Sequence, residues 1–167
     1  MGRWFSSLSR SRASGPILLQ QVQALSDFVT VKYLIEKVVV LEDVKWYGEN
    51  RVLMLAHGVV KAGVDLRQLK VQDLELQGKA ALVHLPRPVI TDVYLDDDKT
   101  KIIERTTGML REFDKDLEQN ARNIAIDDIR RAARNEGIFK EARLQAERQL
   151  RSLIKQFGFE RVDFVVP

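Results

Sequence analysis

Apolar residues in this chain change their spacing several times, and each change marks an element. Ile17, Gln21 and Ala24 recur at helical spacing with Leu18, Val22 and Leu25 beside them, which predicts a short amphipathic lead-in helix. Across Asp27 to Leu41 the period drops to two. There Val29, Val31, Tyr33 and Ile35 alternate with Thr30, Lys32 and Leu34, the pattern of a half-buried strand. Lys45 to Asn50, with Trp46, Tyr47 and Gly48, reads as a turn region. Val52 to Val64 is nearly continuous apolar sequence, interrupted at Gly58 and Gly63. Such a run is a strand buried on both faces, or a bent strand whose glycines permit a bulge. Asp65 ends it, placed to accept a backbone N–H and start a helical turn. Val71 to Gln77 resumes an extended pattern, and Gly78-Lys79 fits a two-residue hairpin. The next strand, Ala81 to Leu85, stops at Pro86 and Pro88, which lack a ladder N–H. Gly58 to Pro88 therefore reads as a compact β module around which the remainder is organised.

Alternation returns after Pro88, with Val93 and Leu95 on one side and Asp92, Tyr94 and Asp96 on the other. Asp96, Asp97 and Asp98 are adjacent. A calcium loop spaces its ligands around a glycine turn, so this run reads as a solvated hairpin tip. From Met109 the period becomes about 3.6. Leu110, Phe113, Leu117, Ala121, Ile124, Asp128 and Ala132 form one stripe, with Ala125 and Ile129 beside it. Gly137 separates this from a second stripe: Ile138, Ala142, Ala146, Leu150, Leu153, Ile154 and Phe157. Gly158 and Phe159 fit a helix end with its hydrophobic contact. Val162, Phe164 and Val166 then alternate in a last strand, which needs an earlier strand as partner. The expected fold is α+β: a predominantly antiparallel sheet (a meander), two helices, and a C-terminal strand returning to the sheet. Residues 1–24 are expected to be a basic, aromatic tail and lead-in helix. Residues 25–167 form a single domain, with the sheet over 27–105, the helices over 109–157 and the last strand over 160–166.

Composition narrows the function classes. The 167 residues are 45% hydrophobic and 31% charged, which are globular values. The 27 basic and 24 acidic residues leave only +3, too even for a dedicated nucleic-acid binder. Cysteine is absent, which excludes disulfides, thiol catalysis and Cys-ligated metal centres. No stretch approaches the roughly 20 apolar residues that span a bilayer. Arg3, Arg10 and Arg12 lie among serines with Trp4, Phe5 and Leu8. That composition is either a tail or a segment flanking a membrane. Gly2 and Ser6 match a short myristoylation pattern that recurs by chance.

Candidate chemistry is sparse. His57 and His84 are the only histidines, both within strands, and two are too few for a zinc site. They or Asp65 and Asp92 are the residues from which a metal or acid–base site would be built, but each has a simpler structural role. No nucleophile-elbow, Walker or dinucleotide motif occurs. Arg122, Arg130, Arg131 and Arg134 sit among acids, with Asp127–Arg131, Glu136–Lys140 and Glu147–Arg151 at i, i+4 spacing. The expectation is no catalytic, cofactor or metal residues, no cofactor and no nucleic-acid partner.

Several blocks in order, VTVKYLIEKVV from Val29, GVVKAGVDL from Gly58, VHLPRPVI from Val83, LDDDKT from Leu95 and the helical block from Ala121, resemble the bacterial domain-of-unknown-function family 4230. The resemblance spans about Leu25 to Val165. It brings no catalytic residues. It implies an N-terminal membrane anchor ahead of the domain, absent from this chain, and hence a membrane-associated protein with its domain outside the cytoplasm. The three N-terminal arginines make the cytoplasmic face the alternative. The expected function is a non-enzymatic, membrane-proximal binding or assembly domain, as a homo-oligomer or with a protein partner. The alternative is a carrier or sensor holding a small apolar ligand or lipid between sheet and helices.

Overall fold

The computed structural model describes residues 14–25, 30–109, 112 and 114–165. Helix α1 (Gly15–Ala24) leads into two antiparallel strands, β1 (Thr30–Lys45) and β2 (Gly48–Gly63), paired without a break from Thr30↔Gly63 to Lys45↔Gly48. At about 3.4 Å per residue, each strand is some 50 Å long. The turn between them is only Trp46-Tyr47, shorter than the Lys45–Asn50 region expected. Cross-strand pairing, including Glu42↔Arg51 with its 3.3 Å ion pair, continues to the tip and overrides the turn-like composition.

Two single 3₁₀ turns follow. In the first, the Asp65 carboxylate caps the Arg67 N–H, as expected. The second occupies Val71–Asp73, where an extended segment was expected, because the Asp73 side chain bonds the Lys70 N–H at 2.8 Å and closes the turn. Strands β3 (Leu74–Gln77) and β4 (Ala80–His84) form the predicted hairpin, with Gly78 at φ +58 in the left-handed region that the turn requires.

Strands β5 (Val89–Leu95) and β6 (Lys101–Thr107) both run antiparallel to β2. β5 pairs with Gly58–Gly63 and β6 with Asn50–Leu55. They are thus two halves of one edge, and Asp96–Thr100 is an interruption within it, not the hairpin tip expected. Helices α2 (Lys115–Asn135) and α3 (Ile138–Gln156) meet at Gly137, and β7 (Arg161–Val165) pairs parallel to β4. The α+β order is as expected, but the meander is divided. β1, β2, β5 and β6 make a large sheet, whereas β3, β4 and β7 make a small one. The stretch Gly58–Pro88 is therefore not one module: its start, Gly58–Gly63, belongs to the large sheet, its middle to the small one, and it stops just short of β5.

Two hydrophobic cores result. One packs α2 and the start of α3 on the large sheet through Ile35, Val39, Met54, Val60, Ala121 and Ile129. The other packs α1 and the end of α3 on the small sheet through Leu18, Val22, Val83, Leu150, Ile154 and Val162. The α2 stripe runs Leu117, Ala121, Ala125, Ile129, Ala133, all buried, while Ile124 is exposed and Asp128 pairs with Arg131. That is a correction by about one position, imposed by strict i+4 contact with the sheet. Leu110, Phe113 and Val166 lie outside the described residues. The α3 stripe is as expected, and Phe159 folds back into the second core after Gly158.

Candidate functional site

The residues that sequence nominated do not converge. His57 lies on the helix-free face of the large sheet, its Nδ1 3.1 Å from Glu36 Oε1 across the β1–β2 pair. His84 lies on the small sheet with Nε2 2.8 Å from Glu75 Oε1. Asp92 sits opposite Lys61, 3.8 Å away. Asp65 is held by the Arg67 guanidinium, which keeps its carboxyl below the usual carboxylate range. Partial burial opposes that shift, and the Arg67 N–H and Gln68 side chain reinforce it. Each carboxylate thus has a local structural partner. Among the described residues no group of three or more His, Asp or Glu side chains is gathered to hold a metal.

What the fold does build is an open apolar surface. Side chains alternate along β1, and Ile35 and Val39 face the helices. The opposite face carries Leu34, Val38, Val40 and Val44, which remain 68%, 62%, 47% and 68% exposed. Their β2 neighbours Leu55 and Leu53 are half-buried, and Val59 is buried between Leu34 and Tyr94 in the register. A cleft of about 320 Å³ opens on this face, lined by Leu34, Glu36, His57, Val59, Asp96 and Lys99.

The wall of that cleft is the interruption between β5 and β6. The Asp96 N–H donates to the His57 carbonyl at 2.7 Å, and the His57 N–H donates to Thr100 Oγ1 at 3.2 Å. Asp97 is tied to Arg122 of α2 at 2.8 Å, and Lys99 pairs with Asp96 at 3.3 Å. Asp96 and Asp97, two of the three acids of the interruption, are therefore occupied by cationic partners. The seam between sheet and helices, by contrast, is closed by Ile129, which fills the place where Gly58 has no side chain.

A family model described as a protein of unknown function (DUF4230) matches residues 20–164. The chain belongs to that family. No curated protein and no solved structure matches it significantly. Among the described residues of this DUF4230 domain, no helix is long and apolar enough to cross a membrane.

The helical charges of the DUF4230 domain find partners other than those spacing suggested. Asp127 bonds Arg130 at 2.8 Å, not Arg131, since a short carboxylate reaches three residues ahead. Glu147 bonds Arg143 at 2.7 Å, while Arg151 lies over the Phe164 ring at 5.3 Å. The outward row on β1 escaped notice in the sequence, though its signal was present. A strand half-buried against helices should carry polar residues at every second position, and Leu34, Val38, Val40 and Val44 are apolar there.

Proposed function

We propose that this DUF4230 chain is a non-catalytic binding or assembly domain that works close to a membrane through the open face of its long hairpin. One observation carries the reading: four exposed aliphatic side chains, flanked by half-buried leucines, on a sheet whose other face packs against α2 and α3. Val38 and Val40 with Leu53 and Leu55 form the continuous part of this surface, and Leu34 and Val44 lie beyond the Glu36–His57 and Glu42–Arg51 pairs; exposed apolar surface of this kind marks an interaction site. The family resemblance and the aromatic and basic residues that precede α1 in the sequence support the same reading.

Native mass spectrometry and sedimentation of the purified chain test it, beside the double variant Leu34→Glu, Val38→Glu. The expected result is a complex, with itself or with a co-purified protein, that the double variant loses while keeping its circular dichroism. A complex indifferent to these substitutions, or a bare monomer that captures nothing from native membranes, would sink the proposal. A carrier of a small apolar ligand is the second reading, with the cleft beside His57 as its place on the molecule. It requires a monomer bearing a reproducible extra mass.

A further inference from the structure

The far end of the hairpin carries chemistry that the open face does not explain. Trp46 is 95% exposed, with the Tyr47 ring 5.2 Å away and edge-on to it. The chain leaving β6 returns to the same place. The Gly108 N–H donates to the Glu49 carbonyl at 2.8 Å, and a side chain at 108 would press on the Gly48–Glu49 backbone. Met109, wholly exposed, follows directly on this tie to the strand that leaves the Trp46-Tyr47 turn, and Val44, exposed as well, precedes the turn by two residues. An indole so free of cover at the apex of a hairpin of two 16-residue strands is unusual for a surface that meets only water.

We infer that this tip is an interfacial anchor, with Trp46, Tyr47 and Met109 entering the headgroup region of a lipid bilayer. Size separates a lipid surface from a protein partner. A stable protein interface needs about 800 Å² from each side, and an aromatic side chain supplies only about 150–250 Å². Three side chains on a convex apex fall short of that area. A bilayer has no such requirement, because it closes around whatever enters it. Trp and Tyr also suit its boundary, with an apolar ring for the acyl region and an N–H or O–H for the headgroups. The flanking cations are paired within the protein, Lys45 with Asp43 at 3.4 Å and Arg51 with Glu42 at 3.3 Å, and the exposed Glu49 adds no positive charge. Attachment through the tip is therefore apolar, needs no anionic headgroup, and is retained in high salt. The inference rests on the membrane-proximal part of the proposed function, but not on the open face.

The chain has two tryptophans, so Trp4→Phe leaves Trp46 as the sole reporter. This variant is titrated with vesicles of pure phosphatidylcholine, and with equimolar phosphatidylethanolamine and phosphatidylglycerol. The expected result with both is a shift of Trp46 emission to shorter wavelength and quenching by brominated acyl chains. In the otherwise native chain, Trp46→Ala should weaken vesicle co-sedimentation by about tenfold. Val71→Ala, which trims an exposed valine beside the small sheet, should leave it unchanged. Co-sedimentation with unmoved Trp46 emission, or unaffected by Trp46→Ala, would overturn the tip as anchor while leaving the open-face reading intact. Absence of binding to either vesicle would overturn it as well. Loss of the complex in the Leu34→Glu, Val38→Glu variant reports on the open face separately.

Discussion

Gly58 shows how much of this fold turns on one missing methyl. It faces α2 from the middle of β2, and a Cβ built there would lie 2.5 Å from Ile129 Cδ1 and 2.6 Å from its Cγ2. Ile129 is itself wholly buried among Ala125, Ala133 and the sheet, so its branched side chain has nowhere to retreat. Gly58→Ala should therefore cost about 1–3 kcal/mol through overpacking. Adding Ile129→Ala opens the space that the new methyl needs, so the double variant should be less destabilised than the two single variants summed. Urea midpoints at constant slope measure all three, and strict additivity would show that the two residues do not compete for one site. In the sequence alone Gly58 fits a bulge. β2 pairs with β1 straight through it, and the helix that requires a glycine there lies some seventy positions along the chain. A close approach between distant elements leaves no local mark.

At the scale of elements, legibility followed how local the determining forces were. The Asp65 cap, the Gly78-Lys79 hairpin, the helix break at Gly137 and the α3 stripe are each fixed within a few residues, and each was readable. The division into two sheets was not, because pairing partners depend on the whole chain. The interruption of β5–β6 is the clearest case. Three aspartates and a lysine suggest a turn in any context, but only the register on β2 decides whether the chain reverses there or continues. Here it continues, since His57 replaces its ladder partners with the Asp96 N–H and the Thr100 hydroxyl. Thr100→Val keeps the shape and removes the acceptor, leaving the part-buried His57 N–H unpaired. The expected cost is about 1 kcal/mol, with faster hydrogen exchange at the His57 amide and at the flanking ends of β5 and β6. Unchanged exchange at His57 would mean that the hydroxyl does not hold the interruption in place.

The molecule as a whole is two cores on one scaffold, and α3 is what couples them. Ile138 and Ala142 belong to the core under the large sheet, and Ala146, Leu150 and Ile154 to the core under the small sheet. The chain leaving β2 makes the same crossing, since Ala62 near the strand's end packs in the first core and Val64, just past it, in the second. A helix cannot readily lose half its cover and keep the rest in register, because its turns propagate cooperatively. Opening the small-sheet core should therefore loosen the large sheet too. Leu150→Ala is the sharpest probe: the side chain is fully buried in the second core, and its removal should cost about 2–5 kcal/mol. Native-state hydrogen exchange would then show protection falling in parallel at Val83 of β4 and at Val60 of β2. If Val83 lost protection while Val60 kept it, the two cores would be separately stable, with the junction inside α3 a hinge. The outcome bears on function, because the open face and the aromatic tip both belong to the large sheet. If the cores unfold together, whatever docks on that face or anchors that tip stabilises the small sheet, α1 and β7 as well.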